Sequence, residues 1–65
     1  MNVEDVRARV EMIRALAYDG EAAHSDEDAL REDVLRAIAD GADDPAALAA
    51  AALITSEIRF ARWCA

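Results

Sequence analysis

Residues 45–54 of the chain read Pro45-Ala46-Ala47-Leu48-Ala49-Ala50-Ala51-Ala52-Leu53-Ile54, and none of their side chains is charged. Alanine and leucine favour the helix, and proline is common at its first position. Apolar residues recur as far as Ala65, so the sequence predicts one helix over residues 45–63. A helix that is apolar nearly all round needs more than one surface to cover it. We therefore expect this helix to be central and to pack against two others.

Two glycines mark the ends of the other predicted helices. Gly20 and Gly41 each follow a run with helical period, where a C-cap requires a residue that tolerates the left-handed conformation. The first run predicts a helix over residues 3–18. The second predicts a helix over residues 26–40, with Ser25 as the N-cap of a capping box.

Apolar stripes support both helices, and they fix the expected fold class. Asp44 before Pro45 indicates an N-cap with proline at the first helical position, which marks the start of the third helix. The chain should therefore be all-α, a compact three-helix bundle with short loops and a single domain over residues 1–65. The stripes consist of Val3, Val6, Val10, Ile13 and Ala17 in the first helix, and of Leu30, Val34, Ala37 and Ile38 in the second, with Leu35 to one side.

The size and the cysteine content of the chain point towards association. A domain of 65 residues buries only about 60% of the surface of its unfolded chain and is marginally stable alone. Cys64 is the single cysteine, which excludes an intrachain disulfide and a cysteine-rich zinc module. Small domains are usually stabilised further by disulfides, a metal, very regular helix packing or oligomerisation, and of these oligomerisation is the one we favour here. We therefore expect a homo-oligomer, and a dimer first.

The charge of the chain narrows the classes of partner. Its 14 acidic and 7 basic residues give a net charge of −7, which repels phosphate backbones and disfavours direct nucleic-acid binding.

The sequence indicates neither a signal peptide nor a membrane span. No basic segment followed by an apolar stretch opens the chain. Its longest uncharged run, residues 45–56, is far shorter than the roughly 20 residues of a membrane span. We expect a soluble, cytoplasmic protein without a membrane partner.

A surplus of apolar surface lies at the end of the predicted third helix. Phe60 and Trp63 have two interpretations, since they either plug the end of the core or anchor an interface, where aromatic residues and arginine are enriched. In the second interpretation Arg59 or Arg62 orients the partner. The predicted binding surface for a protein partner, or for a second copy of the chain, consists of Leu53, Arg59, Phe60, Arg62 and Trp63.

Candidates for catalysis or metal binding are few. Glu21 and His24 have the Glu-x-x-His spacing of di-iron bundles, but those bundles repeat the motif and add two further glutamates. We predict no metal and no other cofactor, with Glu21 and His24 as weak candidates in a metal-binding helical oligomer.

Cys64 lies one residue from the end, where it is poorly held for nucleophilic catalysis. Glu57 is a candidate for a buried carboxylate with a raised pKa. With no catalytic residue, the sequence does not indicate an enzyme.

The acidic residues support an alternative function. A protein that carries them on one surface imitates a nucleic acid and occupies a basic partner as a decoy. The residues of this hypothetical acidic surface are Asp26, Glu27, Asp28, Glu32, Asp33, Asp40, Asp43 and Asp44.

Three segments of the chain carry a resemblance to known proteins. They are Asp19-Gly20-Glu21-Ala22-Ala23-His24-Ser25-Asp26-Glu27-Asp28, Val34-Leu35-Arg36-Ala37-Ile38-Ala39-Asp40-Gly41 and Phe60-Ala61-Arg62-Trp63-Cys64-Ala65. Over about residues 10–65 the chain resembles small uncharacterised proteins of actinobacterial bacteriophages and their prophages. The resemblance implies a phage accessory protein in the host cytoplasm, and by analogy one that binds a host component. The resulting hypothesis is a small non-enzymatic protein-interaction module that self-associates through its C-terminal helix.

Overall fold

Within residues 1–62 the fold consists of three α-helices and a short 3-10 turn. The computed structural model describes residues 1–62, in which α1 spans Val3–Ala15, α2 spans Gly20–Ala39 and α3 spans Pro45–Leu53. The 3-10 turn, Ile54–Glu57, follows α3 directly. Every helix contacts the other two, and α3 packs against both α1 and α2 as expected. The prediction of an all-α three-helix bundle is confirmed.

The core follows the apolar stripes of the sequence. Val6, Val10 and Ile13 of α1 are buried against Leu30 and Val34 of α2, as their spacings predict. The contribution of α3 is mostly small side chains, which let its backbone approach both neighbours. Within residues 1–62 the buried apolar residues are Val6, Val10, Ile13, Ala23, Leu30, Val34, Leu48, Ala51, Ala52 and Ile58.

Two of the predicted helix boundaries are confirmed. The Asp44 side chain accepts a hydrogen bond from the Ala47 backbone N–H at 3.1 Å, and Pro45 occupies the first helical position. Gly41, just beyond α2, has a φ of 91°, a conformation that a side chain would strain. Both features depend on neighbouring residues alone, so the sequence carries the information that predicts them.

The predicted junction between the first two helices is wrong. α1 ends at Ala15 rather than at residue 18, and Gly20 begins α2 instead of closing α1. The N-cap of α2 is Asp19, whose side chain accepts from the Ala22 backbone N–H at 3.2 Å. Ser25 therefore lies inside the helix, and the predicted capping box there does not form.

The third helix is shorter than predicted. α3 ends at Leu53, and the chain turns into an extended conformation at the buried Ile58, with φ −83° and ψ 128°. Residues 58–62, here called the C-terminal strap, run back across the start of α2, where Ala61 lies against Gly20. The helix ends early because the strap gains contacts that a straight helix over residues 45–63 would not reach. No helix within residues 1–62 combines the length and the apolar composition that crossing a membrane requires.

Candidate interaction surface

An apolar groove lies open between α2 and α3. It encloses about 260 Å³, and its walls are formed mainly by aliphatic side chains. Two leucines stand at its edges, Leu35 with 66% and Leu53 with 62% of its surface exposed. The residues of this α2–α3 groove are Arg31, Val34, Leu35, Ile38, Ala49, Ala52 and Leu53.

The composition of α3 explains why the groove is open. Ala49 and Ala52 face α2 with a single methyl group each, so they do not fill the space beside Leu35 and Ile38. Ala52 is buried, whereas Leu53, next to it, points outward. Exposed leucines are common singly, whereas these two lie beside one apolar groove and extend its apolar surface.

Arg31 closes one end of the groove with a positive charge. Its Nη2 donates hydrogen bonds to Ser56 Oγ at 2.9 Å and to Thr55 Oγ1 at 3.2 Å. The same atom lies 3.4 Å from Glu27 Oε2. Arg31 Nε is buried and has no hydrogen-bond partner in the described part of the chain. The side chain is still 41% exposed, so the groove ends in a cation that other molecules can reach.

Glu27 is the buried ionisable group within residues 1–62. Only 1% of its side chain is exposed, and Arg62 binds it through Nε to Oε1 and Nη2 to Oε2, both at 3.0 Å. Burial by itself raises the pKa of Glu27, but the hydrogen bonds from Arg62 and the charges of Arg31 and Arg62 outweigh it. The pKa therefore lies below its ordinary value, and the carboxylate stays ionised inside the protein.

Two predictions about carboxylates are corrected by this arrangement. Glu57, the candidate for a buried carboxylate, is exposed on the 3-10 turn. Glu27, assigned to the acidic surface, is buried and pairs with Arg31 four positions further along α2. The spacing of Glu27 to the core residues Leu30 and Val34, three and seven positions, places it on the buried stripe of α2. This periodicity is the signal in the sequence that indicates the burial of Glu27.

The predicted partner-binding residues differ in location and in exposure. Leu53 lies exposed at the groove, and Arg59 is exposed on the strap. Phe60 is half-buried against the core, as in the interpretation that it plugs the end of the bundle. Arg62 lies over the Phe60 ring, with Cζ 3.7 Å from its centroid, and also donates to the carbonyls of Thr55 at 2.7 Å and Ile58 at 3.1 Å. Trp63 lies outside the described residues.

The weak metal candidates, Glu21 and His24, both lie in α2, three positions apart. Glu21 is exposed at the start of α2, while His24 is half-buried and its Nε2 lies 3.5 Å from Asp28 Oδ1. In residues 1–62 no three His, Cys, Asp or Glu side chains are grouped as a metal site requires. Cys64 lies outside the described residues.

No protein-family model, curated protein or solved structure matches the chain. The support for a function therefore comes from the geometry of the chain itself, and above all from the α2–α3 groove.

Proposed function

We propose that the protein is a non-enzymatic protein-interaction module whose α2–α3 groove binds the apolar face of a helix in a partner protein. The observation that carries this proposal is the open apolar groove with Leu35 and Leu53 exposed at its edges. Grooves of this kind receive amphipathic helices through residues spaced three and four apart.

The length of the groove suits a helix. From Arg31 to Ile38 the α2 wall spans eight residues, which is about 10 Å or two helical turns. A partner helix presents two or three apolar side chains over that distance. Covering Leu35 and Leu53, each about two-thirds exposed, contributes about 1 kcal/mol apiece before the costs of association.

The polar groups near the groove favour binding over catalysis. Glu27 is held ionised by Arg62 and Arg31, so it is poorly placed to exchange protons near neutral pH. The groove itself is lined by aliphatic side chains and the arginine, which supply no nucleophile and no general base. This composition is typical of a recognition surface.

Association of two copies is a second proposal from the same observation. Two chains facing groove to groove would cover Leu35 and Leu53 in both. A stable dimer buries about 800 Å² per chain, roughly a fifth of the 4383 Å² surface. The net charge of −7 on each chain opposes this pairing.

The resemblance to phage proteins adds a biological setting to the proposal. In that setting the partner is a host component and the protein acts in the host cytoplasm. The acidic-decoy alternative has weaker support, because Glu27 is buried and Asp33 is bound to Arg9 at 2.7 Å. Binding that competes with DNA or RNA and weakens steeply with salt would favour the decoy.

A designed peptide tests the groove directly. The probe is an alanine- and glutamine-based helix with leucines at positions i, i+4 and i+7, and its control has the same composition with the leucines scattered around the helix. In ¹H–¹⁵N NMR titrations we expect the probe to shift the amides of Leu35, Ile38 and Leu53, and the control to leave them in place.

Matched variants identify the binding surface. Leu35→Ala and Leu53→Ala should weaken probe binding, whereas Met12→Ala, which removes an equally exposed side chain from α1, should not. Sedimentation equilibrium on the free protein separates a monomer of 7.0 kDa from the dimer. Equal binding of probe and control, or no binding by either, would contradict the groove as a helix site.

A further inference from the structure

Two guanidinium groups share one carboxylate beside the α2–α3 groove. Arg62 takes both oxygens of Glu27 at 3.0 Å, while Arg31 approaches Glu27 Oε2 only to 3.4 Å. The three ionised groups sum to one net positive charge, in a chain whose net charge is −7. The cation of this cluster that reaches the groove is Arg31, which is part of the groove wall.

Arg31 has hydrogen-bonding capacity that the fold leaves unused. Each hydrogen bond that it donates within residues 1–62 comes from Nη2, to Glu27, Thr55 and Ser56. Its Nη1 donates none of these hydrogen bonds. This side chain is 41% exposed. An apolar residue that covered it would remove water from a cation without replacing the lost hydrogen bonds, which costs free energy.

We infer that the helix bound by the groove carries a carboxylate side chain at one end of its apolar ridge, placed to meet Arg31. This inference rests on the proposed function and specifies the partner more closely. A carboxylate matches the planar guanidinium in charge and geometry, and such charge-assisted hydrogen bonds are stronger than neutral ones. The ridge supplies affinity, and the acid sets the direction in which the helix lies.

A second copy of the chain does not offer such a ridge. Outside the groove, the large exposed apolar residues within residues 1–62 are Met1, Met12, Tyr18 and Ile54. Of these, Met12 alone belongs to an α-helix, so no two form a helical stripe. A second copy would have to present its own groove face, in which α2 carries Arg31 again. The occupant that fits the charge is therefore a helix of a different protein.

Three versions of the helical probe test the inference. The first carries Glu at both ends of the leucine ridge, one turn beyond the last leucine. The second carries Gln at the same two positions, and the third carries Lys. We expect the Glu probe to bind about threefold to tenfold more tightly than the Gln probe, and the Lys probe to bind most weakly. The measurement is isothermal titration calorimetry at 50 mM and 300 mM salt, with the preference for Glu smaller at high salt.

Variants of the protein assign the preference to Arg31. In Arg31→Gln we expect the Glu and Gln probes to bind equally. In Arg36→Gln, which removes an exposed arginine from the same helix, the preference should persist. Because the change from Glu to Gln in the probe leaves the protein intact, the comparison holds even if Arg31→Gln proves unstable.

The outcomes separate the two proposals. If the Glu and Gln probes bind with equal affinity to the unaltered protein, the inference about the carboxylate is wrong while the groove remains a helix site. If none of the probes binds, the proposed function itself fails. A preference for Glu that survives in Arg31→Gln would overturn the assignment to Arg31.

Discussion

Arg62 binds Glu27 through two parallel hydrogen bonds of 3.0 Å, although the two residues are 35 positions apart in the chain. The carboxylate belongs to the middle of α2 and the guanidinium to the C-terminal strap. Since the same Arg62 also donates to the carbonyls of Thr55 and Ile58, it ties the strap both to α2 and to the 3-10 turn. The pair therefore determines where the chain goes after α3.

Removing the Arg62 side chain should destabilise the fold strongly. Arg62→Met leaves the buried Glu27 with Arg31 as its remaining partner, and we expect a loss of about 3 kcal/mol in the free energy of unfolding. Urea denaturation followed by circular dichroism measures it. Arg59→Met changes an exposed arginine on the same strap and should cost less than about 0.5 kcal/mol. Equal effects from the two variants would contradict a role for the ion pair.

Stability should fall in acid because of Glu27. Burial raises the pKa of this carboxyl, but the hydrogen bonds from Arg62 and the charges of Arg31 and Arg62 bring it below the ordinary value of 4.5. A group with a lowered pKa in the folded state adds stability above its unfolded pKa, and this stability is lost as pH falls through the folded pKa. The advantage of the natural protein over Glu27→Gln should therefore be constant above about pH 5.5 and shrink below pH 4.5. Urea denaturation across this range tests it, and an advantage that grows in acid would contradict the assignment.

Gly20 should resist substitution because of the strap. A Cβ at this position would lie 2.8 Å from the Ala61 carbonyl oxygen and 3.0 Å from Ala61 Cβ. Alanine favours the helix, yet we expect Gly20→Ala to lower stability by about 1–2 kcal/mol because the strap must shift.

Two further variants separate this contact from a general effect of alanine. In an Arg62→Met background the strap is already loosened, so Gly20→Ala should become neutral or stabilising. Gly41→Ala, where open space surrounds the added Cβ and the cost comes from the φ of 91°, should be equally destabilising in both backgrounds. The same loss from Gly20→Ala with and without Arg62 would argue against strap contact.

The leucines of the groove should contribute little to folding. Leu48 is 3% exposed in the core, and Leu48→Ala should cost about 3 kcal/mol. Leu35→Ala and Leu53→Ala should each cost less than about 1 kcal/mol, because both side chains already lie mostly in water. Thermal unfolding of the three variants provides the comparison. A large loss at Leu53 would show that it belongs to the core rather than to an open groove.

Local signals in the sequence predicted some of the features that depend on neighbouring residues. The stripe of Val6, Val10 and Ile13 indicates α1, and Asp44 before Pro45 marks the start of α3. The capping box of Asn2 and Asp5, with hydrogen bonds of 2.9 Å, belongs to this class as well. It went unpredicted although its partners are three residues apart.

The groove was only partly predictable. Leu53 was included in the predicted interface and does lie at the surface. Leu35 lies to one side of the stripe of α2, which was a sign of its exposure. That the two leucines share one groove depends on how closely α2 and α3 approach, and no local pattern encodes that distance.

By itself, the sequence determined the number of helices, the buried stripes of α1 and α2 and the start of α3, because periodicity and capping act within one or two turns. The tertiary structure alone decided that α3 ends at Leu53 and that Arg62 returns to Glu27. The helix begun by an apolar run such as residues 45–54 continues unless the residues that follow gain more favourable contacts with a distant part of the chain. Here the buried carboxylate of Glu27 provides that contact, because an ionised group inside a protein requires an opposite charge.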